Sequence, residues 1–537
     1  MFKLRLNSES KVFIFRVQNQ ALEQRNMNGI LQIPVWGILL ILVIYFGILV
    51  LIANLISSKS KSANSDFFTA GRKSPWYVVA YGMIGASLSG VTFVSIPGVV
   101  GAGKTNMAFS YMQVVLGYLL GYIVIAQLLL PLYYKMRLSS IYQYLESRFG
   151  NYSYKTGAIF FLISRSIGSA FRLYLAVLVM DMLFRSGGWS IPFPITALFS
   201  IILIWVYTQK GGLKVIVWTD TLQTTFMLLS VAFTIWYIYS KLDFSNAGLF
   251  EKLAEKNLSQ FFFFEKGWSD PNNFFKQVLG GMFITIVMTG LDQDMMQKNL
   301  SCRNLADAQK NMYSFSIVLI AVNFMFLQLG ALLYLYMSEF GIELPTTMVN
   351  GDSKPAYDLV FPNLAMGYMP FYVGIIFIIG LVAAAYSTAD SGLTALTTSF
   401  CIDILGINPD DENNKNLSTR RYAHLGMSAL LFLLICSFWF INDSSVINQL
   451  FTIAGYTYGP LLGLFSFGLF TKLGLKDRFV PIVCVLAPIL TFLINQNSTY
   501  LIGGYKFGFE LLLANGLLTF LGLLGISKNN LNKNPHD

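Results

Sequence analysis

From Gly380 to Cys401 the chain reads GLVAAAYSTADSGLTALTTSFC. Its apolar frame carries Ser387, Thr388, Asp390, Ser391, Thr394, Thr397, Thr398 and Ser399. A carboxylate placed in lipid costs about 2.5–3.5 kcal/mol on insertion scales. That cost is met where the group faces a polar cavity or holds a cation. Hydroxyls and a carboxylate are hard oxygen donors, suited to a small hard cation. Serines and threonines in a membrane helix also hydrogen-bond to the preceding turn and let helices pack closely. That reading stays open for most of the hydroxyls, but it does not account for Asp390.

The elements that must position these groups are membrane helices. Of 537 residues, 55% are hydrophobic and only 12% charged. This composition excludes a soluble multidomain chain. A net charge of +10 would point to nucleic acid in a soluble protein. Here most Lys and Arg lie between apolar segments and read as topology signals. Cys302, Cys401, Cys436 and Cys484 are scattered, with no metal spacing or disulfide pattern. His424 and His536 are the only histidines, which argues against a histidine-based centre.

Residues 1–32 form a polar, basic tail that is no signal peptide, and Met27 is a second candidate start. Thirteen apolar segments of spanning length follow, at 33–54, 76–100, 110–134, 156–184, 193–208, 215–240, 277–296, 312–337, 369–405, 422–441, 446–470, 478–496 and 508–526. The expected fold is therefore an all-α polytopic membrane protein with thirteen transmembrane helices. Basic residues collect in alternate short loops: Lys59, Lys61, Arg72 and Lys73; Lys135, Arg137, Arg148 and Lys155; Lys210 and Lys214; Lys298, Arg303 and Lys310; Lys415, Arg420 and Arg421; Lys472, Lys476 and Arg478. The opposite short loops carry only Lys104, Arg185, Lys354 and Lys506. This asymmetry predicts a cytoplasmic C-terminus, with tail 527–537, and an external N-terminus in the cell's inner (plasma) membrane.

Two spans read as broken. The second contains Gly82, Gly85, Gly90, Pro97 and Gly98; the seventh contains Gly280, Gly281 and Gly290. They open two successive five-span groups, 76–240 and 277–470. Interrupted helices at matching places of two halves point to an inverted-repeat transporter with a midplane site. Glycines that merely permit tight packing are the alternative for either segment alone. One motif is a decoy: GVVGAGKT at 98–105 matches a phosphate loop, but a membrane helix rather than a strand feeds it, so ATP binding is not expected.

Four stretches together resemble the sodium:solute symporter family, whose members carry sugars, proline, sialic acid and monocarboxylates. They are GASLSGVTFVSIPG (85–98), YTQKGGLKVIVWTDTLQ (207–223), GLDQDMMQKNLSCRNLADAQK (290–310) and AAAYSTADSG (383–392). The resemblance implies a LeuT-like 5+5 inverted repeat with one extra N-terminal helix (33–54) and two extra C-terminal helices (478–526). It implies a Na+ site at the carbonyls of Gly85, Leu88 and Ala384 and the hydroxyls of Ser387 and Thr388. Unwound backbone supplies such carbonyls, and hydroxyls three and four residues from Ala384 share its helix face. A second Na+ site, held by some members, would map to Asp220, Ser387, Asp390 and Ser391. Asp390 departs from the family, which usually has Ser or Thr there. Asp220 could otherwise pair with Lys214.

For the solute, Arg165 and Arg172 lie seven residues apart on one helix face. Arginine suits a bidentate carboxylate contact. In sialic-acid members an arginine near the place of Arg172 takes that role; an internal acid such as Asp181 is the competing partner. Ser87, Ser89, Thr92, Gln113, Thr285, Met288 and Thr289 complete the expected cavity. Asp292, Gln293, Gln297 and Arg303 are expected to fix the inner gate by hydrogen bonds.

These observations lead to a sodium-coupled symporter importing a small polar, anionic solute, not an enzyme. The expected partners are the solute and the lipid bilayer, without nucleic acid or ATP, and the expected working unit is a monomer. Two rivals stay open: proton coupling through Asp220 and Asp390, and a sodium-coupled carrier of neutral sugars or amino acids.

Overall fold

Apolar runs become helices throughout the computed structural model, which describes residues 35–58, 64–102, 107–186, 188–244, 248–265, 267–349, 352–411, 413–441, 446–501, 505, 507–508 and 510–528. The N-terminal tail with Met27, the C-terminal residues past 528, and Lys59, Lys61, Lys104 and Lys506 lie outside that set. We number the main helices α1 Val35–Ser58, α2 Trp76–Ser87, α3 Gly90–Val99, α4 Tyr111–Val124, α5 Asn151–Ser186, α6 Phe193–Thr208, α7 Leu213–Lys241, α8 Phe274–Thr285, α9 Gln293–Leu300, α10 Leu305–Glu339, α11 Phe371–Ser399, α12 Asn414–Ile441, α13 Val446–Phe470, α14 Val480–Gln496 and α15 Leu511–Gly525. Among the described residues nine helices are long and apolar enough to cross a bilayer, or eleven if each of two bent pairs counts as one span. The shorter apolar helices α6 and α15 accompany them. The protein is an all-helical polytopic membrane protein. Its strands are confined to connections: a hairpin pairs Thr346–Val349 with Asp352–Pro355 in the register Thr346↔Pro355, and Gly474–Leu475 pairs with Ser527–Lys528.

The bent pairs are the two spans that read as broken. α2 and α3 meet at 63°, and α8 with its π-helical turn Ile286–Gly290 meets α9 at 65°. Most of these glycines do not sit at the breaks, although Gly90 opens α3 and Gly290 closes the π-helical turn beside them. Gly82 and Gly85 stay inside α2, Gly280 and Gly281 stay inside α8, and α3 runs through Pro97 and Gly98. The chain turns instead at Leu88, extended at φ −93° and ψ 94°, and at Asp292, extended at φ −109° and ψ 124°. Each second half is then capped by a side chain. Ser89 Oγ accepts the Thr92 N–H at 3.5 Å, and Asp292 accepts the Asp294 N–H at 2.9 Å.

The glycines serve close approach. A Cβ at Gly281 would lie 2.2 Å from the Val114 carbonyl oxygen, and one at Gly117 would lie 2.2 Å from that of Val278, so α4 and α8 touch backbone to backbone. Gly98 is equally tight against the Tyr357 carbonyl, at 2.0 Å. The decoy stretch thus begins in a packed helix end, and no strand feeds it.

Gly281→Val should therefore destabilise the protein by about 1–3 kcal/mol through overpacking. Gly168→Ala, on α5 with nothing within 4 Å of the added carbon, should be neutral or stabilising by up to about 1 kcal/mol. Thermal melting of the purified variants checks both; equal melting shifts would contradict the helix contact.

Candidate functional site

The α2–α3 bend leaves backbone oxygens without their usual partners. Leu88 N–H still reaches back to Ile84 at 2.9 Å. Among the described residues no backbone N–H bonds the carbonyl of Gly85 or Leu88, because Ser89 has left the helix and Thr92 N–H is spent on the Ser89 side chain. α11 passes directly beside this bend. A Cβ on Gly85 would stand 3.2 Å from Ser387 Oγ, and one on Gly90 would stand 3.1 Å from Ala385 Cβ. Thr388 Oγ1 donates to the Ala384 carbonyl at 3.2 Å. Gly85, Leu88, Ala384, Ser387 and Thr388 thus lie on two segments that pack against each other, all buried. Thr224 of α7 joins them, its hydroxyl accepting the Gly85 N–H at 3.1 Å.

Asp220 on α7 faces the same wall of α11. Its two oxygens accept the hydroxyls of Ser387 at 2.7 Å and Ser391 at 3.4 Å. Its ion-pair partner is Lys298 of α9, whose ammonium lies 2.6 Å from Oδ2. Lys298 is only 1% exposed, so it is no loop charge, contrary to its place in the topology count. Lys214, the alternative partner, pairs with Asp66 at 3.2 Å instead. Among the described residues Asp390 has no ion pair. One of its oxygens accepts the Tyr207 hydroxyl at 2.7 Å, and the other is buried without a partner. Tyr45 of α1 brings a buried hydroxyl beside Asp390 and Gln223.

The two arginines of α5 meet different fates. Arg165 is 4% exposed and forms an ion pair with Asp294 of α9, with Asp292 3.9 Å away. Asp292 also accepts the Tyr458 hydroxyl of α13 at 2.6 Å. Arg165 is thus committed internally rather than offered to a solute. Arg172, two turns along, has no hydrogen bond or ion pair among the described residues, and its Nε is buried without a partner. Asp181 pairs with Arg185, at 2.7 Å, and not with either. Of the other expected gate residues, Gln293 bonds the backbone of Ser139 and Ile141 at 2.9 and 3.0 Å. The amide of Gln297 is buried without a partner, and Arg303 is exposed, so neither makes the expected bonds.

Of the remaining cavity residues, Ser87, Thr285 and Thr289 converge on one phenol: the hydroxyl of Tyr122 on α4 faces all three side chains. Ser87, Thr92 and Met288 keep partial exposure, while Ser89 is buried as the cap of α3. Gln113 stands apart. Its amide is saturated by Asn272 at 2.9 Å, Gln277 at 2.9 Å and the Phe263 N–H at 3.0 Å, which anchors the long 241–276 connection rather than lining a cavity. Tyr122, Thr224, Tyr207, Tyr458 and Lys298 were not singled out by sequence. A buried lysine four residues from Asp294 in DQDMMQK was the one signal available, and a count of loop charges hid it.

A polytopic helical bundle with two bent spans, and with buried carbonyl and hydroxyl oxygens gathered beside the first bend, has the form of a secondary carrier. Residues 67–474 match the sodium:solute symporter family, and the chain belongs to it. It is 25% identical to the sodium/sialic acid symporter NanT of Aliivibrio fischeri over 92% of this chain and 94% of that one. It is 24% identical to sodium-coupled monocarboxylate transporter 1 of Mus musculus over 76% of this chain and 64% of the relative. Among solved structures it superposes on a substrate-bound, outward-open Na+-coupled sialic acid symporter with a TM-score of 0.74, at 19% identity over 91% and 98% of the two chains. It also matches Mhp1, a nucleobase-cation-symport-1 family transporter, with a TM-score of 0.52, at 12% identity over 86% and 94%. The fold is LeuT-like, and the protein is a transporter, not an enzyme.

Removing one member of a buried ion pair strands the other, at a cost of about 3–5 kcal/mol. Arg165→Ala, which strands Asp294, should therefore lower the melting temperature clearly, whereas Arg172→Ala should barely move it. Similar losses from the two variants would contradict the different commitments of the two guanidinium groups.

Proposed function

We propose that the chain is a sodium-coupled symporter that imports a small, polar, anionic organic solute by alternating access. The unpaired carbonyls of Gly85 and Leu88, packed against Ser387, Thr388 and the Ala384 carbonyl, carry this reading. Five neutral oxygens from a bent helix and a facing one suit a dehydrated Na+, and none bears a full charge, so the ion can also leave. Sodium in this position joins α2 and α3 to α11. It thereby favours the state in which the two segments are close, by as much as its affinity differs between states.

The solute would lie beside it, among Ser87, Thr92, Tyr122, Thr285, Met288 and Thr289. Arg172, with no hydrogen-bond or ion-pair partner among the described residues, is the group assigned to a carboxylate on the solute. Relatives named for sialic acid and for monocarboxylates agree with an organic acid. The proposed architecture counts α6, α15 and each bent pair as spans, for thirteen in all. It places repeats at 76–240 and 277–470, one helix before and two after them, and basic loops in the cytoplasm with the N-terminus outside. The proposed working unit is a monomer. One charge crossing about 100 mV contributes about 2.3 kcal/mol to uptake.

Proteoliposome uptake of radiolabelled organic acids tests this. Uptake should require external sodium, and the Ser387→Ala/Thr388→Ala double variant should lose that dependence with at least a tenfold drop in rate. Unchanged uptake with choline in place of sodium rejects the reading.

A further inference from the structure

We propose that Thr394 and Thr398 of α11 form a transit site through which a small monovalent cation passes between the ligands around Ser387 and the cytoplasmic end of that helix. The inference rests on the sodium reading above, but it concerns the route out of the site rather than the number of ions held there. Ser387, Ser391, Thr394 and Thr398 are spaced by four, three and four residues, which sets them in one row on one face of α11. All four are fully buried. The upper pair donates to Asp220. Asp390, the neighbour of Ser391, has one carboxylate oxygen buried without a partner among the described residues, so the upper end of the row favours a cation.

The lower pair departs from the habit of other buried threonines in these helices. Thr388 and Thr397 of α11 donate to the carbonyls four residues back, at 3.2 and 2.8 Å, and Thr208 and Thr234 do the same at 2.8 Å. Thr394 and Thr398 do not; among the described residues their hydroxyls have no partner. Gln297 of α9 adds an independent observation. It precedes Lys298, the ion-pair partner of Asp220, and both polar atoms of its buried amide also lack a partner among the described residues. α9 packs against α11. Hydroxyl and amide oxygens are hard, neutral donors for an alkali cation. Such donors in series hold an ion firmly enough to let it enter and loosely enough to let it leave, as a path requires. Beyond Thr398, Cys401 and Ile402 join Phe67 and Phe68 in an apolar cluster. That cluster ends the row and closes it in this conformation; on the proposed topology it lies on the cytoplasmic side.

Silver ion tests this on the purified protein in chloride-free detergent solution, because Ag+ is a thiol-reactive monovalent cation close to Na+ in size. Thr394→Cys and Thr398→Cys are nearly isosteric. In choline nitrate both new thiols should react with Ag+ at least tenfold faster than the native Cys484, which is fully buried on α14. Sodium nitrate should slow both reactions at least fivefold. Rates no faster than that of Cys484 overturn the inference. So do rates that ignore sodium while the wild type binds radiolabelled sodium, since those thiols would lie outside the ion's route. A wild type that binds no radiolabelled sodium instead removes the sodium reading. Thr394→Val/Thr398→Val keeps the inference falsifiable should the cysteine variants fail to fold, because it loses no hydrogen bond. Its equilibrium affinity for radiolabelled sodium should stay within twofold of the wild type, while release on dilution should slow at least threefold. Unchanged release overturns the inference. A large loss of affinity also overturns it, because the two hydroxyls would then be resting ligands.

Discussion

One short helix, α9, carries two buried charges that pull in different directions. Asp294 reaches Arg165 on α5, and Lys298, one turn later, reaches Asp220 on α7. Every residue of α9 is buried, so neither charge can turn to water. Breaking such a pair costs far more than its formation contributes to stability, which makes it a device of registry rather than strength. The second bent span is thereby fixed to two helices of the preceding group. Any motion of α9 must carry α5 and α7 with it or break two buried ion pairs at once.

That constraint sets the positions of the neutral oxygens nearby. α7 is held by Lys298 on one side and by close packing on the other, where a Cβ on Gly82 would lie 3.0 Å from Asp220 Cβ. The same helix presents Thr224 to the Gly85 N–H and Asp220 to Ser387. The bend in α2–α3 and the hydroxyl face of α11 are therefore both referenced to α7. A donor set of carbonyls and hydroxyls has little binding energy of its own, so its selectivity must come from such fixed spacing.

Much of this architecture was legible in the sequence. Hydropathy alone located the helices, with the short 193–208 segment matching α6, although α10 and α12 begin well before the apolar segments at 312–337 and 422–441 because their first turns are polar. The existence of two bent spans was legible too, yet for a partly mistaken reason. Glycine alone does not mark a break: Gly98 and Gly281 report close packing, while the turns fall at Leu88 and Asp292, beside Gly90 and Gly290. A break needs an extended residue followed by a cap, and the Ser89 and Asp292 caps are short polar residues that look ordinary in sequence. Lys298 was hidden because a topology count treats every lysine near a span end as solvated. Gln113 misled for the opposite reason: a polar residue in an apolar helix looks functional, but its partners sit in a connection more than a hundred residues away.

The charges around the bends then sort into two kinds. Lys298 with Asp220, and Arg165 with Asp294, compensate each other and serve the scaffold. Arg172 and Asp390 have no ion pair among the described residues and must be matched by something else or remain costly. Natural folds retain such cost where function uses it. An unmatched guanidinium on α5 and an unmatched carboxylate on α11, next to the proposed cation ligands, give the interior one place that favours an anion and another that favours a cation. Each ligand then removes a penalty that the empty protein carries. That is a physical reason to expect the proposed co-transport of an organic anion with a cation rather than of either alone.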